Sequence, residues 1–222
     1  MNVTIYGDSI LKGVVLENGK YAVNRDWEDR LSRLLGVTIR NRSRFGCTIG
    51  KALPFIEKDA QTEAVPGEVA ILEFGGNDCD YNWAEISENP AGSFDCKTPP
   101  KQFTALYKKA LALLRASGRT PMIATLPPIH SERYLQFICR DGLSQNNILQ
   151  WLGDVEHISR WQAEYSEMVK KIAADEGTDL IDLRSAFPKE GNALAELLCA
   201  DGIHPSRDGQ ALIYEAFRKK AG

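Results

Sequence analysis

The chain has 222 residues, with 27 basic against 30 acidic side chains and a net charge of −3. That length fits a single domain over 1–222 with room for insertions, and the ordinary apolar content can fill a core without disulfide or metal staples. The near balance of charge argues against a nucleic-acid polyanion as the main partner.

Asn2 to Tyr6 is a short apolar run that ends at Gly7-Asp8-Ser9 and reads as a strand. Asn24 can cap a helix running to Leu35, with Trp27, Leu31 and Leu34 on one face and Gly36 as its stop. Val37 to Asn41 reads as a second strand, and Thr48 to Asp59 as a helix interrupted by Pro54. Val69 to Phe74, broken only by Glu73, has the near-continuous apolar character of a buried parallel strand. Thr98 caps a helix with Pro99 and Pro100 in its first turn and Gly118 at its end. Pro121 to Leu126 is the fourth strand, His157 to Glu176 a long amphipathic helix, and Asp179 to Leu183 the fifth strand. Ser206 caps the last helix.

This alternation predicts an α/β fold, with five parallel strands and helices on both faces. Ligands bind such sheets at the carboxyl ends of the strands. Two segments, near 79–97 and 127–156, leave that edge and are too long to be simple connections. Their aromatics, Trp83, Tyr134 and Trp151 among them, either wall a pocket or pack a satellite core. Five cysteines, an odd number without C-x-x-C spacing, read as reduced thiols of a cytoplasmic protein. The first residues lack the pattern of a secretory signal, and no apolar run reaches the roughly 18 residues needed to span a bilayer. No stable membrane association is expected.

Three short motifs carry chemistry: Gly7-Asp8-Ser9, Gly75-Gly76-Asn77-Asp78 and Asp201-Gly202-Ile203-His204-Pro205. Alone, each is explained by a cap or a turn. Together they supply a nucleophile, an oxyanion donor, an orienting carboxylate and a base, the requirements of acyl transfer through a serine. Ser9, on a tight strand-to-helix turn, exposes its hydroxyl and brings its own backbone N–H to the start of a helix. His204 is the base, with Asp201 fixing its tautomer, and the Asn77 amide donates to the oxyanion. Gly46, after the second strand, reads alone as a turn glycine or as a place where a backbone N–H meets a ligand.

These residues resemble the blocks of the SGNH hydrolases, also called the GDSL esterase/lipase family. The first block looks like Gly7-Asp8-Ser9-Ile10, with Ile10 where the family's name has leucine, a packing position. The second is similar to residues 41–48, where the resemblance gives Gly46 an oxyanion N–H. The third resembles Gly75 to Asp78, and the last resembles Asp201-x-x-His204-Pro205. The resemblance covers nearly the whole length. It implies a flavodoxin-like three-layer α/β/α sandwich and no metal or organic cofactor.

The expected function is that of a cofactor-free serine esterase acting on a small-molecule ester. Its catalytic residues are Ser9, Asp201 and His204, and its oxyanion donors are Ser9, Gly46 and Asn77. Asp8, Asp78, Trp83 and His130 are the candidates for substrate contact. A short acyl group, acetyl on a carbohydrate, is the preferred substrate: the inserts hold rings suited to sugar faces, and no long apolar helix offers to receive a fatty chain. Longer acyl chains, or carbohydrate binding without catalysis on the same fold, are the alternatives. A nucleotide site lacks both G-x-G-x-x-G and a P-loop. Neither His130 nor His157 has a partner at metal-ligand spacing. His157 is expected to be structural, and Trp161 and Tyr165 to be core. Activity should fall at acid pH, because only neutral His204 can take the proton from Ser9.

Overall fold

The computed structural model describes residues 2–221. From the N-terminus come β1 (Asn2–Gly7), a hairpin of β2 (Val14–Glu17) and β3 (Lys20–Val23), α1 (Asp26–Leu35), β4 (Thr38–Asn41), α2 (Ile49–Ala60) and β5 (Val69–Glu73). Next are α3 (Trp83–Glu88), α4 (Pro100–Ala116), β6 (Thr120–Ala124), α5 (Ser131–Cys139), α6 (Gln145–Leu152) and α7 (His157–Asp175). β7 (Asp179–Ile181), a 3-10 turn at Arg184–Ala186, α8 (Gly191–Glu196) and α9 (Arg207–Ala221) complete the order. The strands and helices expected from periodicity are present, with ends moved by a residue or two.

Five strands form one parallel sheet in the order β4-β1-β5-β6-β7. Side chains alternate across it, so each strand feeds two cores. Tyr6, Ala70, Leu72 and Ile123 face α2, α4 and α7. Val3, Ile5, Ile71 and Ile181 face α1 and α9. Both faces are covered, which explains why β1 and β5 read as continuous apolar runs. This is a three-layer α/β/α sandwich. Among the five sheet strands the order is second-first-third-fourth-fifth, the flavodoxin-like arrangement, whose order reverses between β1 and β5. Ser9 leaves one of these strands and Asn77 the other, so the two motifs flank the reversal.

The expectation for Ser9 needs one correction. No helix follows it. Residues 9–13 form turns, with the Lys12 N–H on the Asp8 carbonyl at 3.1 Å and the Val14 N–H on the Ser9 carbonyl at 3.0 Å. The chain then enters the β2–β3 hairpin, in which Leu16 pairs with Tyr21 and Glu17 with Lys20. Asn18 and Gly19 make its tip with φ of 51° and 73°, the pair of positive angles that a type I′ turn requires. The Ser9 N–H therefore owes nothing to a helix dipole.

Both long segments fold into helices rather than bare loops. Residues 79–97 carry α3, and residues 127–156 carry α5 and α6. Trp83, Ile86, Leu135, Ile148 and Leu152 make a third core with Ile158 of α7. The satellite core and the pocket wall thus turn out to be two sides of the same aromatic cluster, because its inner surface faces the sheet edge.

Candidate active site

A cavity of about 470 Å³ opens at the carboxyl edge of the sheet. Ser9 and Gly46 stand on one side of it, and Asn77 and His204 border the same space. His204 is held on a short, tied loop. The Cys199 N–H donates to the His204 carbonyl at 2.7 Å, and the His130 N–H donates to the Gly202 carbonyl at 2.8 Å. Leu198 and Pro205 close the loop as an antiparallel bridge.

The imidazole links Ser9 to Asp201. Its Nε2 lies 2.8 Å from Ser9 Oγ, and its Nδ1 lies 2.7 Å from Asp201 Oδ2. Asp201 Oδ1 accepts from the backbone N–H groups of Ile203 and His204 at 3.1 and 3.0 Å. Asp201 is fully buried. Burial works to raise its pKa, but the bonds from His204 and the backbone outweigh that and hold the carboxyl below its ordinary range. An ionised Asp201 places the imidazole proton on Nδ1 and leaves Nε2 free to accept from the serine hydroxyl.

A further donor to Asp201 is one that sequence reasoning missed. Tyr21 Oη donates to Asp201 Oδ2 at 3.2 Å, and its ring meets the imidazole edge-on at 5.2 Å. Phe45 lies nearly parallel to the same imidazole at 5.7 Å and touches Tyr21. Tyr21 reaches this place only because the hairpin folds back over the site. The signal was available in Asn18-Gly19 between two apolar runs, the strongest short-range sign of a hairpin.

Three donors face the cavity. Among the described residues, the N–H groups of Ser9 and Gly46 have no acceptor within the protein. Asn77 Nδ2 spends one hydrogen on Asp8 Oδ2 at 2.9 Å, which leaves its second for a ligand. Gly46 has φ of 65°, and a Cβ there would meet nothing within 4 Å. Its backbone conformation, rather than crowding, is what calls for glycine.

The four residues expected to touch substrate divide. Trp83 does line the cavity. Asp8 borders it too, but both its oxygens are occupied, by Asn77 Nδ2 and by the Ile10 N–H at 2.8 Å. Asp78 is fully buried outside the lining. It receives the Ile49 N–H at 3.1 Å, at the start of α2, and burial pushes its carboxyl up to about 7. The buried turn after β5 makes Asp78 a brace, not a ligand contact. His130 borders a separate hollow of about 220 Å³, because its ring turns to cap α5, where Nδ1 accepts from the Arg133 N–H at 3.5 Å. Conversely, His157 and Trp161, read as structural and core, both reach the cavity wall, because the first turns of α7 lie under the inserts. Tyr165, one turn on, is core as expected.

One carboxylate ties the inserts together. Asp80 Oδ1 accepts from Trp83 Nε1 at 2.8 Å and from Tyr134 Oη at 2.7 Å, and its Oδ2 pairs with Lys97 at 2.6 Å. Nothing in the sequence pattern around Asp80 marks that role, since Tyr134 comes from the other insert.

The arrangement has the parts for attack by a serine hydroxyl on an ester carbonyl: a base in contact, a buried partner for that base, and unpaired donors beside the nucleophile. Comparisons with known proteins bear on the family alone. The profile of the GDSL-like Lipase/Acylhydrolase family matches residues 5–212. An Isoamyl acetate-hydrolyzing esterase 1 homolog from Bos taurus is 27% identical over 217 residues, which is 96% of this chain and 78% of that protein. The lipase/acylhydrolase of Enterococcus faecalis superposes with a TM-score of 0.64 at 20% identity, covering 100% of this chain and 95% of that one. Axe2, an acetylxylan esterase from Geobacillus stearothermophilus, gives 0.66 at 18% identity, covering 100% and 94%. The chain belongs to the GDSL-like lipase/acylhydrolase family and is an SGNH-type hydrolase.

Proposed function

We propose that this protein hydrolyses short-acyl carboxylic esters through an acyl-enzyme on Ser9. The observation that carries the reading is the unbroken contact from Asp201 through His204 to Ser9 at the cavity edge. His204 takes the hydroxyl proton as Ser9 Oγ attacks the carbonyl carbon, and Asp201 stabilises the imidazolium. The oxyanion receives the N–H groups of Ser9 and Gly46 and the free hydrogen of Asn77. The imidazolium then gives its proton to the departing alcohol. Water, deprotonated by His204, releases the acid and restores Ser9.

Acetyl is the first acyl group to test, since the curated relative is named for an acetate ester. The cavity is far larger than an acetyl group needs and falls in the range of small-molecule sites. Its walls are mainly apolar, with Leu126, Ile129, Phe137 and Ile158 among them. Tyr81, Trp83, Trp151 and Tyr134 meet one another edge to face, so their rings are engaged in packing. An apolar alcohol therefore suits the cavity better than a sugar.

The test is a p-nitrophenyl ester series from acetate to palmitate, with isoamyl acetate and an acetylated xylo-oligosaccharide compared as natural-type substrates. Acetate should lead the series, isoamyl acetate should exceed the sugar ester, and Ser9→Ala should lose at least about 10⁴-fold in kcat. Palmitate as the best substrate would remove the short-acyl assignment. A better sugar ester would restore the carbohydrate one. Turnover by the Ser9→Ala chain would remove the mechanism.

A further inference from the structure

The floor of the site holds an acid that this reaction does not use. Glu73 ends β5, opposite Gly7 in the parallel ladder, and is fully buried. Among the described residues, neither of its carboxyl oxygens has a well-formed hydrogen bond, although the Asp8 backbone N–H lies near enough to act on it, and the hydroxyl of nearby Ser43 is likewise unpartnered. Glu73 Oε2 and Ser43 Oγ lie 3.3 and 3.0 Å from where a Cβ on Gly7 would stand. Glycine at 7 is what leaves room for the carboxyl. The charges acting on Glu73 are those of Asp8 and Asp78, and Tyr107 of α4 is the phenol that feels it. The imidazole of His204 also acts on Asp8, favouring its charged form. A buried carboxylate in this place, beside a second one and without a well-formed hydrogen bond, is strongly disfavoured.

We propose that Glu73 is a positioning residue: it keeps a proton at neutral pH and donates it to the Asp8 carboxylate, which in turn aims the Asn77 amide at the oxyanion. Two facing carboxyls share one proton, and the pair carries one negative charge. The proton belongs on Glu73 because the well-formed donor contacts belong to Asp8. Asp8 accepts from the Ile10 N–H and from Asn77 Nδ2, contacts that favour its ionised form. Burial pushes both acids up, and Glu73, where burial and the charge of Asp8 outweigh the one backbone N–H (that of Asp8) acting on it, rises well above its ordinary range. A proton on Asp8 instead would leave one oxygen unable to hold the Asn77 amide as it now does. The ladder pairing of Gly7 with Glu73 thus connects the first motif to the third beneath the nucleophile.

The inference rests on Asn77 serving as an oxyanion donor, so the test separates the two ideas. Infrared difference spectra at pH 7 between the native chain and Glu73→Gln should show the carbonyl band of a protonated carboxylic acid, lost in the variant. This readout needs no activity. With p-nitrophenyl acetate, Glu73→Leu should lower kcat about tenfold with KM little changed, and Glu73→Gln, which keeps a neutral donor, should recover most of it. Glu73→Met replaces the leucine variant if that chain does not fold. Absence of the acid band overturns the protonated state. Native kcat in the folded leucine or methionine variant overturns the positioning role. Native kcat in Asn77→Ala would remove the oxyanion role of Asn77, and the positioning role with it, whatever the infrared result.

Discussion

At the scale of single residues, Asp201 and Asp78 show how one side-chain type takes opposite electrostatic roles. Asp201 is buried but receives Tyr21, His204 and two backbone N–H groups, so it stays ionised. Tyr21→Phe removes one of these donors without opening the core. A hydrogen bond to a charged group contributes about 1.5–3 kcal/mol, and part of that is felt in the transition state. We expect a fall of about three- to tenfold in kcat with KM nearly unchanged, read from steady-state ester hydrolysis; an unchanged kcat would show the Tyr21 contact to be idle. Asp78 is the converse, with its carboxyl raised from 3.8 to about 7. The folded protein therefore holds a proton that the unfolded chain releases between those values. Stability should fall as pH rises through that window and level off above it. Asp78→Asn keeps a neutral side chain there, so the decline in Tm between about pH 4 and 7 should be shallower in the variant than in the native chain. Parallel Tm curves would contradict the assignment.

At the scale of elements, the inserts act through Asp80. It joins α3 to α5 by accepting from both Trp83 and Tyr134. Asp80→Ala should loosen the cavity wall but leave the contacts of Ser9 and His204 alone. KM for a bulky acetate ester should rise several-fold, while kcat for p-nitrophenyl acetate stays within about twofold of native. An equal loss on both substrates would mean that the inserts shape the reacting atoms themselves. The same elements mark where the sequence was legible. β1 and β5 were clear because both their faces are buried, and α4 and α7 because their apolar stripes recur at helical spacing. The hairpin has its own signal in Asn18-Gly19, where the chain turns with two positive φ angles between short apolar runs. α3, α5 and α6, with 6, 9 and 8 residues respectively, are too short to give a firm periodic signal.

At the scale of the whole molecule, the site is an assembly of distant segments. Ser9 and His204 are 195 positions apart, and what joins them is the order of the parallel sheet. Strand order and motif order together made it readable in advance that Ser9, His204 and Asp201 meet and that Gly46 and Asn77 border the same cavity. The hairpin that carries Tyr21 has a local signal in Asn18-Gly19, but the contact of Tyr21 with Asp201 and the places of Asp80, His157 and Trp161 have none, because they depend on how separate segments meet over the sheet edge. His130 and Asp78 lie outside the cavity lining for the same reason: position near a strand end does not reveal which way a side chain turns. Among the described residues, no helix is long and apolar enough to cross a membrane. On the proposed mechanism, this assembly makes Ser9 a nucleophile. The most direct measurement is reaction of the folded chain with a fluorophosphonate, with the modified peptide located by mass spectrometry. One adduct per chain on Ser9, none on the Ser9→Ala chain and a much slower reaction in His204→Ala is the predicted result. A folded native chain that stays unlabelled, or carries the adduct elsewhere, would contradict it.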